Sequence, residues 1–121
     1  MNDSVPKPSG ARRILVVEDE VLISLLLETI LSDAGYDVVL AESLPDALEI
    51  IGKTPFDLAI LDLNIKGQKA YPAAEKLAAA NIPFIFATGG GGGDLEDFRD
   101  RPRIQKPFQE AEILNAIRLL L

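Results

Sequence analysis

The stretch "LAILDL" at residues 58–63 is an apolar, partly β-branched run that carries one carboxylate, Asp62, near its end. Such a run reads as a strand buried on both faces, as in a parallel sheet, rather than as an alternating half-exposed one. A carboxylate buried there without a partner would cost several kcal/mol, so Asp62 requires either hydrogen-bonding partners or a metal ion.

Working outward, "RILVV" at residues 13–17 is a second run of the same kind, ending in the acids Glu18, Asp19 and Glu20. From residue 21 to 34 the apolar residues Ile23, Leu26, Leu27, Ile30, Leu31 and Ala34 fall on one helical stripe, and Gly35 stops it. "VVLA" at residues 38–41 is a strand, and Ser43 caps a helix with Pro45 in its first turn that runs to about Ile51. After residue 63 come a loop through Gly67 and a helix over residues 71–80. A fourth strand at residues 84–87, a weak fifth at 103–105 and a last helix marked by Ile113, Leu114, Ile117, Leu120 and Leu121 complete the pattern. Strands alternating with helices require right-handed crossovers over a parallel sheet, which predicts a three-layer open α/β domain with its site at the carboxyl ends of the strands.

The chain has 121 residues, about one domain's worth, of which residues 1–11 read as a loose polar tail. A net charge of −7 argues against a nucleic-acid partner, which favours a basic face. There is no cysteine and no histidine, so chemistry must run on carboxylates, hydroxyls and lysine. No stretch reaches the roughly 18 apolar residues of a membrane span, and the expectation is a soluble, cytoplasmic protein.

The polar residues sort to strand ends: Glu18 and Asp19 after the first, Asp62 at the third, Thr88 after the fourth and Lys106 after the fifth. Three carboxylates brought together favour a hard cation such as Mg²⁺, held by Asp19, Asp62 and a backbone carbonyl with Glu18 assisting. Lys106 and Thr88 add donors suited to phosphoryl oxygens, and the set describes phosphoryl transfer to an aspartate.

These residues resemble those of a response-regulator receiver domain: "VVEDE" for the acid pair, "LAILDLNI" for the acceptor, "FATG" for the switch threonine and "QKPF" for the lysine. The resemblance covers nearly all of residues 12–121. It implies a flavodoxin-like (CheY-like) sheet of order 2-1-3-4-5 and a bacterial two-component pathway. Asp62 is then the phosphoacceptor, Glu18, Asp19, Asp62 and the Asn64 backbone carbonyl serve Mg²⁺, and Thr88 and Lys106 bind the phosphoryl group. It further implies a cis Lys106–Pro107 bond. The phosphodonor must be a histidine kinase or histidine phosphotransfer protein. The only chemistry of the chain itself would be self-catalysed phosphotransfer and autodephosphorylation.

"PFIFATG" also resembles the receiver subgroup with a Phe-Ala-Thr-Gly signature in its fourth strand, although the usual apolar residue and tyrosine do not follow and the usual aromatic switch position is Arg103. Gly89 to Gly93 forbid a helix there, since each glycine costs about 1 kcal/mol relative to alanine. The fourth helix is expected to be short or mobile, and the glycine run reads either as a loop that closes over the phosphoryl group or as a plain linker.

Val21, Leu22 and Leu25 lie off the first helix's core stripe and read either as a docking patch beside Pro107 and Phe108 or as extra burial against the last helix. The expected function is a single-domain response regulator that acts on a downstream protein by contact or passes phosphate along a relay. Two rivals stand beside it: a receiver-like interaction module not regulated by phosphorylation, and a small haloacid-dehalogenase-like phosphatase, which wants a second aspartate where Asn64 stands.

Overall fold

The computed structural model describes residues 11–88 and 101–121. The expectations for the N-terminal tail, the glycine run and the fourth helix lie outside the described residues. In chain order the elements are β1 (Arg13–Val17), α1 (Val21–Asp33), β2 (Asp37–Ala41), α2 (Leu44–Lys53), β3 (Leu58–Asp62), β4 (Asn64–Ile65), β5 (Gln68–Lys69), α3 (Tyr71–Ala79), β6 (Phe84–Thr88), β7 (Arg103–Gln105) and α4 (Glu110–Leu120).

Five strands form one parallel sheet of order β2-β1-β3-β6-β7, which is 2-1-3-4-5 when the sheet strands alone are counted. Alternation along each strand sends successive side chains to opposite faces. Ile14, Val16, Ile60 and Ile85 join Leu27, Ile30 and Leu31 of α1 and Ile113 and Ile117 of α4. Leu15, Val17, Leu61, Phe84 and Phe86 join Leu44, Ala47 and Ile51 of α2 and Ala73, Ala74 and Leu77 of α3. These two cores make the three layers of a flavodoxin-like fold.

The local signals act as expected at α2, where the Ser43 hydroxyl accepts from the Asp46 N–H at 3.3 Å and Pro45 sits in the first turn. The stripe on α1 differs from the sequence expectation. Leu26 and Ala34 are exposed, and Ser24 is buried in their stead. Ser24 tolerates burial because its hydroxyl donates to the Val21 carbonyl at 3.1 Å. The helix ends at Asp33, and Gly35, at φ 95°, receives the left-handed conformation that lets the chain turn into β2.

The expected loop through Gly67 is a two-stranded hairpin instead. Lys66 and Gly67 have φ of 51° and 79°, the left-handed pair that a tight type I′ connection demands, and β4 and β5 close around them.

At the amino end of the sheet, buried Arg13 ties three strands together. Its Nε donates to Asp37 Oδ2 at 2.8 Å on β2, and its backbone N–H donates to Asp57 Oδ2 at 2.7 Å just before β3. No described helix is long and apolar enough to cross a membrane.

Candidate functional site

Three backbone hydrogen bonds continue the sheet ladder past the strand ends and set the starts of the site loops. Glu18 N–H donates to the Ala41 carbonyl at 3.0 Å, Leu63 N–H to Ala87 at 3.0 Å and Lys106 N–H to Thr88 at 2.8 Å. Val17 pairs with Leu61, so one further step in register puts Glu18 level with Asp62.

Oxygens of Glu18, Asp19 and Asp62 all lie within 4.8 Å of one another. Lys106 Nζ stands 3.1 Å from Asp62 Oδ2 and 3.0 Å from Glu18 Oε1. Asp62 is held at both oxygens, because Oδ1 also accepts from the Asn64 N–H at 3.3 Å. This answers the question posed by a carboxylate in an apolar run: its partners come from β7's end and from the chain two residues on.

Glu18 is 1% exposed. Its Oε2 accepts from the Glu20 N–H at 3.1 Å, but Oε1 accepts no well-directed hydrogen bond among the described residues and stands 3.0 Å from Lys106 Nζ as an ion pair. Burial pushes the Glu18 carboxyl from 4.5 up to about 7; the Lys106 ammonium and the Glu20 amide oppose this, and the neighbouring Asp62 adds to it. Burial works against the charge of Lys106, yet its close pairing with the Glu18 and Asp62 carboxylates outweighs that and holds its pKa above 10.5.

Asp19 is oriented by the hairpin, whose Lys66 N–H donates to Asp19 Oδ2 at 3.0 Å. Sequence reasoning missed this support; the Lys66–Gly67 pair between the short segments Asn64–Ile65 and Gln68–Lys69 was the signal that could have found it. It also gave no role to Glu20, whose Oε1 is 3.9 Å from Lys106 Nζ. Thr88 is buried at the last position of β6, paired in register with Gln105. Asn64 opens β4 two residues after Asp62. The Lys106–Pro107 bond is cis.

A trio of hard oxygen donors, an excess of carboxylates over the ammonium at their centre, and a buried Glu18 oxygen lacking a directed hydrogen bond together fit a divalent cation that prefers oxygen ligands. A carboxylate beside an ammonium and two further carboxylates is a set of groups compatible with phosphoryl-transfer chemistry.

Comparison with known proteins agrees with this geometry, for a model of the response regulator receiver domain matches residues 14–118. The chain belongs to the response regulator receiver family. The transcriptional regulatory protein DltR of Streptococcus agalactiae serotype III (strain NEM316) is 35% identical over 118 residues, which are 88% of this chain and 50% of that protein. The uncharacterized transcriptional regulatory protein YbdJ of Bacillus subtilis (strain 168) is 34% identical over 119 residues, 90% of this chain and 50% of that protein. The receiver chain thus spans about half the length of these curated relatives.

Among solved structures, SdrG from Sphingomonas melonis Fr1 superposes with a TM-score of 0.82 at 42% identity, covering 91% of this chain and 96% of that one. The response regulator TrrA from Thermotoga maritima, solved in complex with Mg²⁺–BeF, superposes with a TM-score of 0.82 at 29% identity, covering 91% and 99%. As a receiver domain, the chain is a component of two-component signalling.

The four apolar residues Val21, Leu22, Leu25 and Leu26 are exposed on α1, with Leu22 at 82%. The first of them is two residues from Asp19. Of the two readings of Val21, Leu22 and Leu25, extra burial against the last helix is not seen among the described residues.

Proposed function

We propose that this receiver accepts a phosphoryl group on Asp62 from a phosphohistidine of a partner kinase or phosphotransfer protein and signals through phosphorylation-dependent protein contacts. The observation that carries the reading is the grip on Asp62: Lys106 holds Oδ2 and the Asn64 N–H holds Oδ1, beside two further carboxylates. Mg²⁺ would be held by Glu18, Asp19, Asp62 and the Asn64 carbonyl, and when bound it supplies charge neutralisation between the carboxylates and the phosphoryl oxygens.

The chain's own residues do the rest. The two hydrogen bonds on Asp62 fix the direction from which its carboxylate meets phosphorus. Lys106, already beside Asp62 Oδ2, offers its ammonium to a phosphoryl oxygen once that group arrives. Thr88, at the end of the neighbouring strand, is the hydroxyl that senses it. The Phe86-Ala87-Thr88-Gly89 run supports the Phe-Ala-Thr-Gly subgroup. The exposed face of α1, with exposed Pro107 and half-buried Phe108, is the surface on which the phosphohistidine partner docks. The net charge of −7 supports a protein rather than a nucleic-acid contact for this domain, although the curated relatives it matches are named transcriptional regulators.

The test is intact-mass spectrometry after incubation with acetyl phosphate and Mg²⁺. The wild-type chain gains one phosphoryl group, which chelation of Mg²⁺ prevents, and Asp62→Asn gains none. An unmodified wild-type chain would leave the interaction-module reading in its place.

A further inference from the structure

Glu20 stands apart from the carboxylate trio. It is the N-cap residue of α1, its side chain makes no capping hydrogen bond, and that side chain is 65% exposed. The ammonium it faces is Lys106, with Oε1 3.9 Å from Nζ. Its backbone N–H is held by Glu18 Oε2, so the same buried residue that pairs with Lys106 anchors the Glu20 backbone at the rim of the site.

Glu18 and Asp62 are buried, at 1% and 7%, whereas Glu20 meets solvent. An incoming anion therefore feels the Glu20 charge on the approach itself. We infer that Glu20 is a specificity-determining residue for the phosphodonor: its carboxylate lowers the positive potential at Lys106 and disfavours free, highly charged donors relative to a donor carried on a docked protein. This rests on the reading of Asp62 as the phosphoacceptor.

The physical basis is the difference between the two arrivals. A free donor is captured by the local potential, so a negative charge at the rim lowers its occupancy. A protein-borne donor is held by contacts elsewhere and is presented at a high effective concentration, which one rim charge barely alters.

The chemistry balances in each case. A bond forms between an Asp62 carboxylate oxygen and phosphorus. With acetyl phosphate the bond from phosphorus to the acetyl oxygen breaks and its electron pair leaves on acetate. With a phosphohistidine the phosphorus–nitrogen bond breaks, and neutral imidazole leaves when its other ring nitrogen carries a proton; with phosphoramidate the phosphorus–nitrogen bond breaks and ammonia leaves from the N-protonated form.

The experiment compares wild type, Glu20→Gln and Glu20→Asp at saturating Mg²⁺. Phosphorylation rates are measured by intact mass with acetyl phosphate, a dianion at neutral pH, and with phosphoramidate, which carries less negative charge. Beryllofluoride affinity is measured by calorimetry as a readout independent of turnover. The expected result for Glu20→Gln is a gain of about threefold with acetyl phosphate at low salt, from removing one screened charge a few ångströms away. The gain is smaller with phosphoramidate and shrinks as salt rises, beryllofluoride binds more tightly, and Glu20→Asp keeps the wild-type donor ratio. Unchanged rates, an equal gain with both donors, or a Glu20→Asp protein behaving like Glu20→Gln would overturn this inference alone. Failure of all three proteins to be modified would overturn it together with the phosphoacceptor reading.

Discussion

Lys106 Nζ lies 3.1 Å from Asp62 Oδ2, joining residues 44 apart in sequence across the carboxyl edge of the sheet. The same ammonium stands 3.0 Å from Glu18 Oε1, so one cation serves two buried carboxylates.

Replacing it with Lys106→Met leaves both carboxylates without that cation in a desolvated place. The expected loss of stability in chelator is roughly 3 kcal/mol, the scale for breaking a buried pair by removing one partner. Mg²⁺ should recover part of it, because a divalent ion supplies the missing positive charge. Urea unfolding with and without Mg²⁺ checks both statements.

Stability should also depend on pH through Glu18. Its pKa rises from 4.5 unfolded to about 7 folded, so between these values the native state binds more protons than the unfolded chain. The contribution is therefore fully present below about 4.5 and is lost as pH rises through about 7. Lys106 is raised above 10.5, and its contribution stays constant across that window. In chelator, the Glu18→Gln protein should lose most of the difference in melting temperature that wild type shows between mildly acidic and mildly alkaline buffer. Mg²⁺ affinity should run the other way, increasing with pH as the ion displaces the Glu18 proton.

The Arg13 clamp predicts a structural effect far from the chemistry. Arg13→Ala removes the 2.8 Å bond to Asp37 at the buried end of the sheet and should destabilise the domain by about 2 to 3 kcal/mol, toward the lower end for a partly exposed partner. Beryllofluoride and Mg²⁺ should still bind the folded protein with wild-type affinity. A loss of affinity at temperatures where the variant is fully folded would contradict this separation.

Docking on α1 is tested by Leu22→Glu. The side chain is 82% exposed, so stability should stay within about 0.5 kcal/mol of wild type. Phosphorylation by acetyl phosphate should be unchanged, while transfer from a phosphorylated histidine phosphotransfer protein should fall at least several-fold. Equal loss with both donors would place the effect at Asp62 rather than at the surface.

Much of this protein is written in local signals. The apolar runs ending in Val17, Asp62 and Thr88, the Ser43 cap and the glycine after α1 are each decided by a few neighbouring residues, and the structure places strands and helices there. The candidate residues Glu18, Asp19, Asp62, Thr88 and Lys106 were legible for the same reason, since a polar group at the end of an apolar strand falls at the sheet's carboxyl edge whatever the strand order.

Tertiary structure decided what depends on sums over distant atoms. Strand order is set by which faces can be covered by which helices, and periodicity carries no such information. The burial of Ser24 over Leu26 depends on which side of α1 meets the sheet, and it is tolerated because the hydroxyl can satisfy itself on the Val21 carbonyl. The raised pKa of Glu18, the orientation of Asp19 by the Lys66 amide and the approach of Glu20 to Lys106 exist only once segments some 40 to 90 residues apart share one desolvated edge. Sequence alone determined the candidate groups at the strand ends, because strand ends are local; the remaining partners and the charges come from the packing, because desolvation and Coulomb energy depend on distance in space.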